Sequence, residues 1–268
     1  MDKLLFIMIV IFLLIVTIHI QKTCSFVEHF TLQPKVYINF TTIPPRIKLI
    51  EPVLQSLDSQ RTEKVFINIP QKYKRFNEKM IIPDFIHKYN VDIFNVDEDY
   101  GPLTKLMGPL LNPSISPDSI IIITDDDNIR GEGWANKLVE SVRSNPNKVS
   151  AYQYFKKDII WGEKGFAFKK SLINKNDLLK FRNGVKDQCF KVDDHLLTAY
   201  FSYKNIPIVG LGKPKNNKIL EMGNALNQTN RKKDSEACRE AIKSVHSHEF
   251  PFWCCVGCCP PSKTIRRI

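Results

Sequence analysis

Three consecutive aspartates, Asp125, Asp126 and Asp127, are the residues of this sequence whose type and position most clearly suggest chemistry. They directly follow the apolar stretch 119–124, which predicts a strand covered on both faces. Adjacent carboxylates repel one another, and a fold tolerates them at low cost only in water or around a cation. Two interpretations follow: a solvated turn that leads into the next helix, or a site for a hard divalent cation, Mn²⁺ or Mg²⁺, that itself holds a diphosphate.

A second acidic pair, Asp193 and Asp194, precedes a predicted helix with an apolar face. Acidic residues are favourable at the N-terminus of a helix, which gives one interpretation. The other is a general base that removes the proton of an acceptor hydroxyl, and such a base must reach the hydroxyl across the sugar from the metal. A second carboxylate, remote in sequence from the first, meets that need. We expect Asp194 to be the base, with Asp193 as the second candidate.

Predicted strands and helices alternate over the first half of the chain. The strands are expected at 35–40, 64–69, 91–96 and 119–124, and the helices at 47–60, from about 101, and at 134–142. This alternation predicts a parallel-rich α/β sheet, in which ligands bind beyond the carboxyl ends of the strands. The second half predicts a strand near 149–155, a glycine-containing loop at 161–168, helices at 172–181 and 192–203, and a strand at 206–209. The three aspartates end the most apolar strand, so their position favours ligand binding.

The ordered set of motifs resembles that of glycosyltransferases with the GT-A fold, in the nucleotide-diphospho-sugar transferase superfamily. The strand followed by Asp-x-Asp, here Asp125 to Asp127, is similar to the metal and nucleotide motif of that group. Four further segments resemble its base-binding loop, the segment ahead of the Asp-x-Asp strand, its acceptor-side glycine loop and its later acidic motif: Thr41–Arg46, Asp97–Leu106, Trp161–Phe166 and Asp193–His195. The resemblance covers residues 34 to about 210. It implies an α/β, GT-A-like (Rossmann-like) fold with a mixed, mostly parallel sheet flanked by helices.

The resemblance also implies roles for the matching residues. Asp127 would bind the metal directly, and Asp125 would contact the ribose or reach the metal through water. Lys105 and Arg46 would pair with the diphosphate, with surface cations as the alternative interpretation. The residues expected to bind the nucleotide sugar are Thr41, Arg46, Asp99, Lys105, Asp125, Asp126, Trp161 and Gly165.

Related enzymes often add a histidine from the C-terminal part of the chain to the metal. His246 and His248 are available for this role and are candidate metal ligands beside Asp125 and Asp127. The alternative interpretation is that they are exposed histidines of a tail.

The composition is that of a folded protein with a basic surface. Hydrophobic residues make up 43% and charged residues 25% of the 268 residues, which argues against a disordered or fibrous chain. The formal charge of +11 suits an anionic partner such as a nucleotide diphosphate, an acidic glycan or a lipid headgroup. The basic residues are spread along the chain and form no recognisable nucleic-acid-binding module, so nucleic acid is not an expected partner.

The N-terminal stretch Leu4–Ile20 is apolar and is bracketed by Lys3 and Lys22. Its length of about 17 residues is at the lower edge of the range for a membrane span, so a secretory signal peptide is the alternative. No clean cleavage site follows, which favours an uncleaved signal-anchor. We expect a single-pass type II membrane protein with a lumenal, ER/Golgi-type catalytic body. The expected divisions are an anchor at 1–20, a stem at 21–33, a GT-A-like domain at 34–245 and a cysteine-rich tail at 246–268.

Seven cysteines are present, and four of them lie in the cluster Cys254–Cys259. Disulfides are the default in a lumenal compartment, although adjacent thiols with this spacing also suit zinc. Two tripeptides that begin at Asn39 and Asn227 match the N-glycosylation pattern. The first lies at the end of a predicted buried strand.

These observations predict a metal-dependent glycosyltransferase. It would move a sugar from a nucleotide-diphosphate sugar, such as a UDP-sugar, to a hydroxyl of a glycan or glycoprotein. One alternative is a catalytically inactive, membrane-tethered protein of the same fold that binds a glycan or a nucleotide. A nucleotidyltransferase with a related sheet is a further alternative, and the lack of a glycine-rich phosphate loop near the first strand argues against it. The anomeric outcome is open, because a retaining mechanism would need no general base at Asp193 or Asp194.

Overall fold

The structure is a computed structural model that describes residues 9–19, 33–152, 159–222 and 231–246. The chain divides into two compact units, Met1–Pro34 and Lys35–Ile268. In the first unit residues 9–19 form a helix with mostly exposed side chains, among them Phe12 at 64%. In the described ranges, no helix has both the length and the apolar character needed to cross a bilayer. The predicted anchor Leu4–Ile20 extends beyond the described helix at both ends, and it stays a prediction.

The strands that the structure describes in the second unit are β1 Val36–Thr41, β2 Lys64–Pro70, β3 Val91–Val96, β4 Ile120–Ile123, β5 Asn128–Ile129, β6 Val149–Ala151, β7 Phe166–Lys169, β8 Ile208–Gly210 and β9 Lys218–Ile219. Seven of them form a mixed sheet with the order β3-β2-β1-β4-β7-β6-β8. Within these described strands, β7 runs antiparallel to its neighbours β4 and β6, and the other adjacent pairs are parallel. Strands β5 and β9 form a separate antiparallel pair. The predicted mixed, mostly parallel sheet is confirmed.

Helices cover both faces of this sheet. The α-helices that the structure describes in this unit are α1 Glu51–Asp58, α2 Thr104–Leu111, α3 Trp134–Ser144, α4 Lys175–Asn183, α5 Asp193–Tyr203 and α6 Arg231–His246. Short 3-10 turns occur at Ile47–Leu49, Asp84–Lys88, Gly101–Leu103, Gly162–Lys164 and Lys170–Leu172. One apolar cluster contains residues of α2, α4, α5 and α6, and the other contains residues of α1 and α3.

The cover on both faces of strand β4 explains why the sequence of this strand is a continuous apolar run. Ile121 and Ile123 belong to the cluster with α2 and α5, whereas Ile120 and Ile122 belong to the cluster with α1 and α3. All four side chains are buried, because successive residues of a strand point to opposite faces and both faces are covered here. The strand therefore ends rigidly at the point where the three aspartates begin.

The prediction of a loop at 161–168 is wrong for its second half, because Phe166–Lys169 form strand β7. Phe166 and Phe168 point to one face and pack in the same apolar cluster. Their partners across the sheet are Ile123 and Ile121 of β4. A strand of four residues is too short to show a clear period, and its pairing depends on residues about 45 positions away.

Helix α6 was not predicted, because its sequence is mostly charged and polar. It buries Cys238, Ile242 and His246, which are spaced by four residues along one face. Cys238 forms a disulfide with Cys189, 49 residues earlier, in the segment that leads into α5. The bond fixes α6 against that segment. The cluster Cys254–Cys259 lies outside the described residues.

Of the two N-glycosylation tripeptides, the one that begins at Asn39 lies within the described residues. Asn39 is fully buried in β1, and its side chain accepts a hydrogen bond from the Asn68 amide at 3.3 Å. A glycan on Asn39 is therefore incompatible with the folded sheet. Asn227 lies outside the described residues.

Replacing both bonded cysteines, Cys189→Ser together with Cys238→Ser, is expected to lower the free energy of unfolding by about 3–4 kcal/mol. The physical reason is that the unfolded chain regains the entropy of a loop of roughly 50 residues. Urea denaturation followed by circular dichroism measures the change. Dithiothreitol should lower the stability of the wild-type chain and leave that of the double variant unchanged. Equal stability of the two proteins without reductant would contradict the pairing.

Candidate active site

An open cleft of about 150 Å³ lies beyond the carboxyl ends of β1 and β4. Its walls come from the loops after β1, β2, β3 and β4, the turn Gly162–Lys164, the start of α5 and the first residue of α6. The predicted site residues that line it are Thr41, Arg46, Asp99, Lys105, Asp125, Asp126, Asp127, Asp193 and Asp194. The two acidic motifs of the sequence therefore share one cleft.

The register of the two central strands brings the loop after β1 beside the aspartates. Asn39 of β1 lies opposite Ile123 of β4, so the chain leaves both strands at the same level. Thr42 follows β1 directly, and its hydroxyl donates a hydrogen bond to Asp126 Oδ2 at 2.6 Å. The Asp126 side chain is only 7% exposed as a result of this packing.

Arg46 forms ion pairs with two of the three aspartates. Its Nη2 atom lies 2.9 Å from Asp126 Oδ1 and 3.1 Å from Asp127 Oδ2. Burial raises the pKa of Asp126 to about 7, and the charge of Asp127 adds to this shift while Arg46 opposes it. Burial, followed by the charge of Asp125, also raises the pKa of Asp127. One guanidinium therefore does not offset the repulsion among the three carboxylates.

Lys105, in the first turn of α2, connects the two acidic motifs. Its Nζ atom lies 2.6 Å from Asp125 Oδ1 and 2.8 Å from Asp193 Oδ2, and its side chain is 3% exposed. Burial by itself lowers the pKa of the Lys105 ammonium, but the carboxylates of Asp125, Asp193 and Asp194 outweigh it and raise the pKa overall. Lys105 therefore stays a cation.

Asp125 is held in its charged form by the same contact. Burial is the largest single effect and raises the pKa of its carboxyl, but the charge and hydrogen bond of Lys105 together with the charges of Arg130 and Arg46 outweigh it, so the pKa falls below its ordinary value. The Asp125 side chain is still 32% exposed. A carboxylate that is ionised and partly open to the cleft is available to a ligand.

Asp194 lies in the first turn of α5, beside the turn Gly162–Lys164. Its Oδ1 atom accepts a hydrogen bond from the Gly162 amide at 2.9 Å, and its Oδ2 atom lies 3.4 Å from Arg231 Nη2. Burial and then the charge of Asp193 raise the pKa of Asp194 to about 7. Gly162 permits the approach of this turn, because a Cβ atom there would lie 2.5 Å from Lys105 Nζ. Asp194 therefore exchanges its proton near neutral pH.

Arg130 is a buried guanidinium behind the aspartates that sequence reasoning missed. It donates hydrogen bonds to the Thr124 hydroxyl and, at 2.7 Å, to the Glu163 carbonyl, and it lies 4.6 Å from the centre of the Trp134 ring. These contacts join the end of β4 to the turn Gly162–Lys164. Burial lowers the pKa of Arg130 to about 10, so it is still charged at neutral pH. An arginine in a polar loop gives no sequence signal of such burial.

Trp161 and Gly165 flank the turn Gly162–Lys164 and do not line the cleft. Gly165 has a positive φ of 96°, and a Cβ atom at this position would overlap the Trp134 ring. Its lack of a side chain therefore serves the packing of the turn. Trp161 contacts the Arg231 guanidinium, whose carbon lies 5.6 Å from the indole ring centre.

Asp99 and Thr41 line the cleft, but their side-chain polar atoms already make hydrogen bonds within the protein. The Asp99 carboxylate accepts hydrogen bonds from the backbone amides of Lys74 at 2.7 Å and Gly101 at 2.8 Å. The Thr41 hydroxyl donates to the Asn68 carbonyl at 2.7 Å. Both residues shape the loops around the cleft.

Of the two predicted histidine ligands, the structure describes His246, which lies away from the cleft. His246 is buried in α6, where its ring stacks on Phe181 at 4.1 Å and its Nε2 atom lies 3.2 Å from the Phe181 carbonyl oxygen. It does not line the cleft, and the alternative of an exposed tail histidine is wrong for this residue. His248 lies outside the described residues. Within the ranges that are described, no group of three or more His, Cys, Asp or Glu side chains has a metal-binding arrangement.

An aromatic and basic stretch after β2 was also missed. Tyr73, Arg75 and Phe76 line the cleft. The Tyr73 hydroxyl donates to the Thr42 carbonyl at 2.9 Å, and the rings of Tyr73 and Phe76 meet edge to face at 6.2 Å. The rule that ligands bind beyond the carboxyl ends of parallel strands pointed to this loop, because it follows β2 directly.

No family model matches the chain. No curated protein matches it either. One similar solved structure is the 2-C-methyl-D-erythritol 4-phosphate cytidylyltransferase of Francisella tularensis, with 14% identity over 74% of this chain and 98% of that chain and a TM-score of 0.41.

Another is the glucosyl-3-phosphoglycerate synthase of Mycobacterium tuberculosis in complex with Mn²⁺, uridine diphosphate and phosphoglyceric acid. The identity is 13% over 81% of this chain and 79% of that chain, with a TM-score of 0.47. A further structure of the M. tuberculosis synthase has 14% identity, covers 80% of each chain and has a TM-score of 0.46. These likenesses concern the fold alone and carry no argument about what the chain binds or catalyses.

Proposed function

We propose that the chain is a divalent-metal-dependent glycosyltransferase that moves a sugar from a nucleotide-diphosphate sugar to an acceptor hydroxyl. The supporting observation is the position of Lys105, which contacts both Asp125 and Asp193 within 2.8 Å. A donor site needs cations and metal-binding carboxylates, and an acceptor site needs a base. Through this contact a carboxylate suited to the donor site lies in the same cleft as the acidic pair that would supply the base.

The residues at the end of β4 fit a hard divalent cation. Asp125 and Asp127 keep 32% and 26% of their side chains exposed while they line the cleft. Magnesium-type ions are commonly held by one or two carboxylates together with substrate phosphates. Burial and then the charge of Asp125 raise the pKa of Asp127, so a cation held by these carboxylates would relieve a repulsion that the protein alone leaves. When bound, such an ion supplies charge stabilisation for the leaving diphosphate.

Two cations of the chain lie beside the aspartates in the part of the cleft that would hold the nucleotide sugar, the donor end. Arg46 and Lys105 provide a guanidinium and an ammonium on either side of the three aspartates. Arginine binds phosphate through its planar fork and lysine as a point charge, so both suit a diphosphate. The aromatic rings of Tyr73 and Phe76 line the same cleft and offer apolar surface to a nucleotide base.

Asp194 is the general base of this proposal. The Gly162 amide orients its Oδ1 atom, and its pKa of about 7 lets it accept a proton near neutral pH. Asp193 is less suited, because Lys105 engages its Oδ2 atom at 2.8 Å. Removal of the hydroxyl proton by Asp194 during attack on the anomeric carbon gives an inverting reaction.

The substitution Asp127→Asn is expected to remove Mn²⁺-dependent binding of the nucleotide sugar and its turnover. The reason is that one of two partly exposed carboxylates at the metal is lost. A thermal-shift titration of nucleotide sugars with and without Mn²⁺ measures binding, because a ligand of the folded state raises the melting temperature. EDTA should have the same effect on the wild type.

The matched control is Asp118→Asn, before β4 at its opposite end. Asp118 is 78% exposed and pairs with Lys169, so its loss should leave the titration unchanged. Metal-independent binding in the wild type would contradict the metal assignment. Binding without any consumption of donor would favour an inactive binding protein of this fold. Release of pyrophosphate from a sugar phosphate and a nucleotide triphosphate would favour a nucleotidyltransferase.

The rate of transfer is expected to rise with pH through about 7. Burial raises the pKa of Asp194, so the carboxylate form that accepts a proton becomes populated only as the pH passes that value. The substitution Asp194→Asn should lower kcat by about 10²–10⁴-fold and abolish this pH dependence. Initial rates at saturating donor between pH 5 and 9 measure it. If Asp193→Asn abolishes the dependence and Asp194→Asn does not, the roles of the two residues are exchanged.

We also propose that Leu4–Ile20 anchors the chain in a membrane with its catalytic unit in the lumen. The apolar sequence between Lys3 and Lys22 supports this proposal. The full chain expressed in eukaryotic cells should stay with membranes after sodium carbonate extraction. A deletion of residues 1–20 should release it. Recovery of the intact chain in the carbonate supernatant would contradict the anchor.

A further inference from the structure

Three further cations line the cleft besides Arg46 and Lys105. Arg75, Lys191 and Arg231 belong to the loop after β2, the segment before α5 and the first turn of α6. The disulfide between Cys189 and Cys238 joins the last two of these segments. Tertiary structure therefore brings all three cations to one cleft.

The charges of these three residues are weakly compensated. Arg231 lies 3.4 Å from Asp194 and Lys191 lies 3.5 Å from Asp234, with side chains that are 42% and 39% exposed. No ion pair of Arg75 is found among the side chains that the structure describes. Both ion pairs are long and their cationic side chains are partly exposed, so the two cations are available to another anion.

Arg231 is the member of this group closest to the proposed chemistry. Its guanidinium carbon lies 5.6 Å from the centre of the Trp161 ring, a distance at which the aromatic face attracts a cation. The same guanidinium points an Nη2 atom at Asp194 Oδ2. Trp161 thus holds a planar, two-pronged anion-binding group beside the general base.

We propose that Arg231 binds a carboxylate or phosphate group of the acceptor, which makes an acidic sugar the preferred acceptor. The inference rests on the proposed function, because it takes Asp194 as the base that the acceptor hydroxyl approaches. An anion on Arg231 replaces Asp194 as the partner of the guanidinium. The Asp194 Oδ2 atom is then left to accept the hydroxyl proton.

The test uses the full chain in detergent, loaded with Mn²⁺ and the nucleoside diphosphate part of the nucleotide sugar that stabilises it most in the thermal-shift titration. Dissociation constants are measured by calorimetry for two matched pairs: methyl glucuronide with methyl glucoside, and glucose 6-phosphate with glucose. At least one charged sugar should bind about tenfold more tightly than its neutral partner, the factor expected for one charge-assisted contact. The pair that shows the difference identifies the anion as carboxylate or phosphate.

The substitution Arg231→Gln should remove this preference and leave binding of the nucleoside diphosphate unchanged. Lys232→Gln is the matched control, because it removes the same charge from the next, exposed position of α6 and should keep the preference. Melting temperatures of both variants show that they are folded. Arg231→Lys should keep part of the preference, since it retains the charge without the fork.

Equal binding of charged and neutral sugars, or no binding of either charged sugar, would overturn the inference. A loss of nucleoside diphosphate binding in Arg231→Gln would also overturn it, because the residue would then belong to the donor site. If no nucleoside diphosphate binds to the wild type, the proposed function fails first. The two failures are therefore distinguishable.

Discussion

The ammonium group of Lys105 is the contact on which the cleft depends. It lies almost completely buried between Asp125 and Asp193, at 2.6 and 2.8 Å. Removing one partner of a buried ion pair typically costs about 3–5 kcal/mol, because an uncompensated charge is left inside the protein. Helix α2 fixes this position, since Leu106 and Met107 beside the lysine are fully buried in the core. The distance between the two acidic motifs is thus set by the packing of a helix on a sheet.

The balance between guanidinium and carboxylate charges governs the rest of the cleft. Arg46 is shared between Asp126 and Asp127, and Arg130 lies behind them without a carboxylate of its own within the described ion pairs. The carboxyl groups of Asp126 and Asp194 have pKa values of about 7, so burial keeps them on the border between the charged and the neutral form. Perturbed carboxyl groups of this kind gather at functional sites, where a cation or a substrate completes the balance.

Helix α6 adds a cation, Arg231, to this arrangement. It brings Arg231 to the cleft, and its disulfide through Cys238 fixes it to the segment that leads to Asp193 and Asp194. In the described helix the buried residues are Cys238, Ile242 and His246, so the face that packs on the core is narrow. The covalent bond therefore contributes to the geometry of the cleft as well as to the stability of the fold.

The sequence by itself determined the parallel strands β1 to β4 of the sheet and where these strands end. The all-isoleucine strand β4 required cover on both faces, and the alternation of strands and helices required parallel pairing, so Asp125–Asp127 had to lie at the ligand-binding edge. Only the tertiary structure decided which distant residues meet there: Lys105 with Asp193, Arg231 with Asp194, and β7 with β4. It also placed His246 in the core. Strand and helix periods are local properties of the chain, whereas these contacts depend on how whole elements pack.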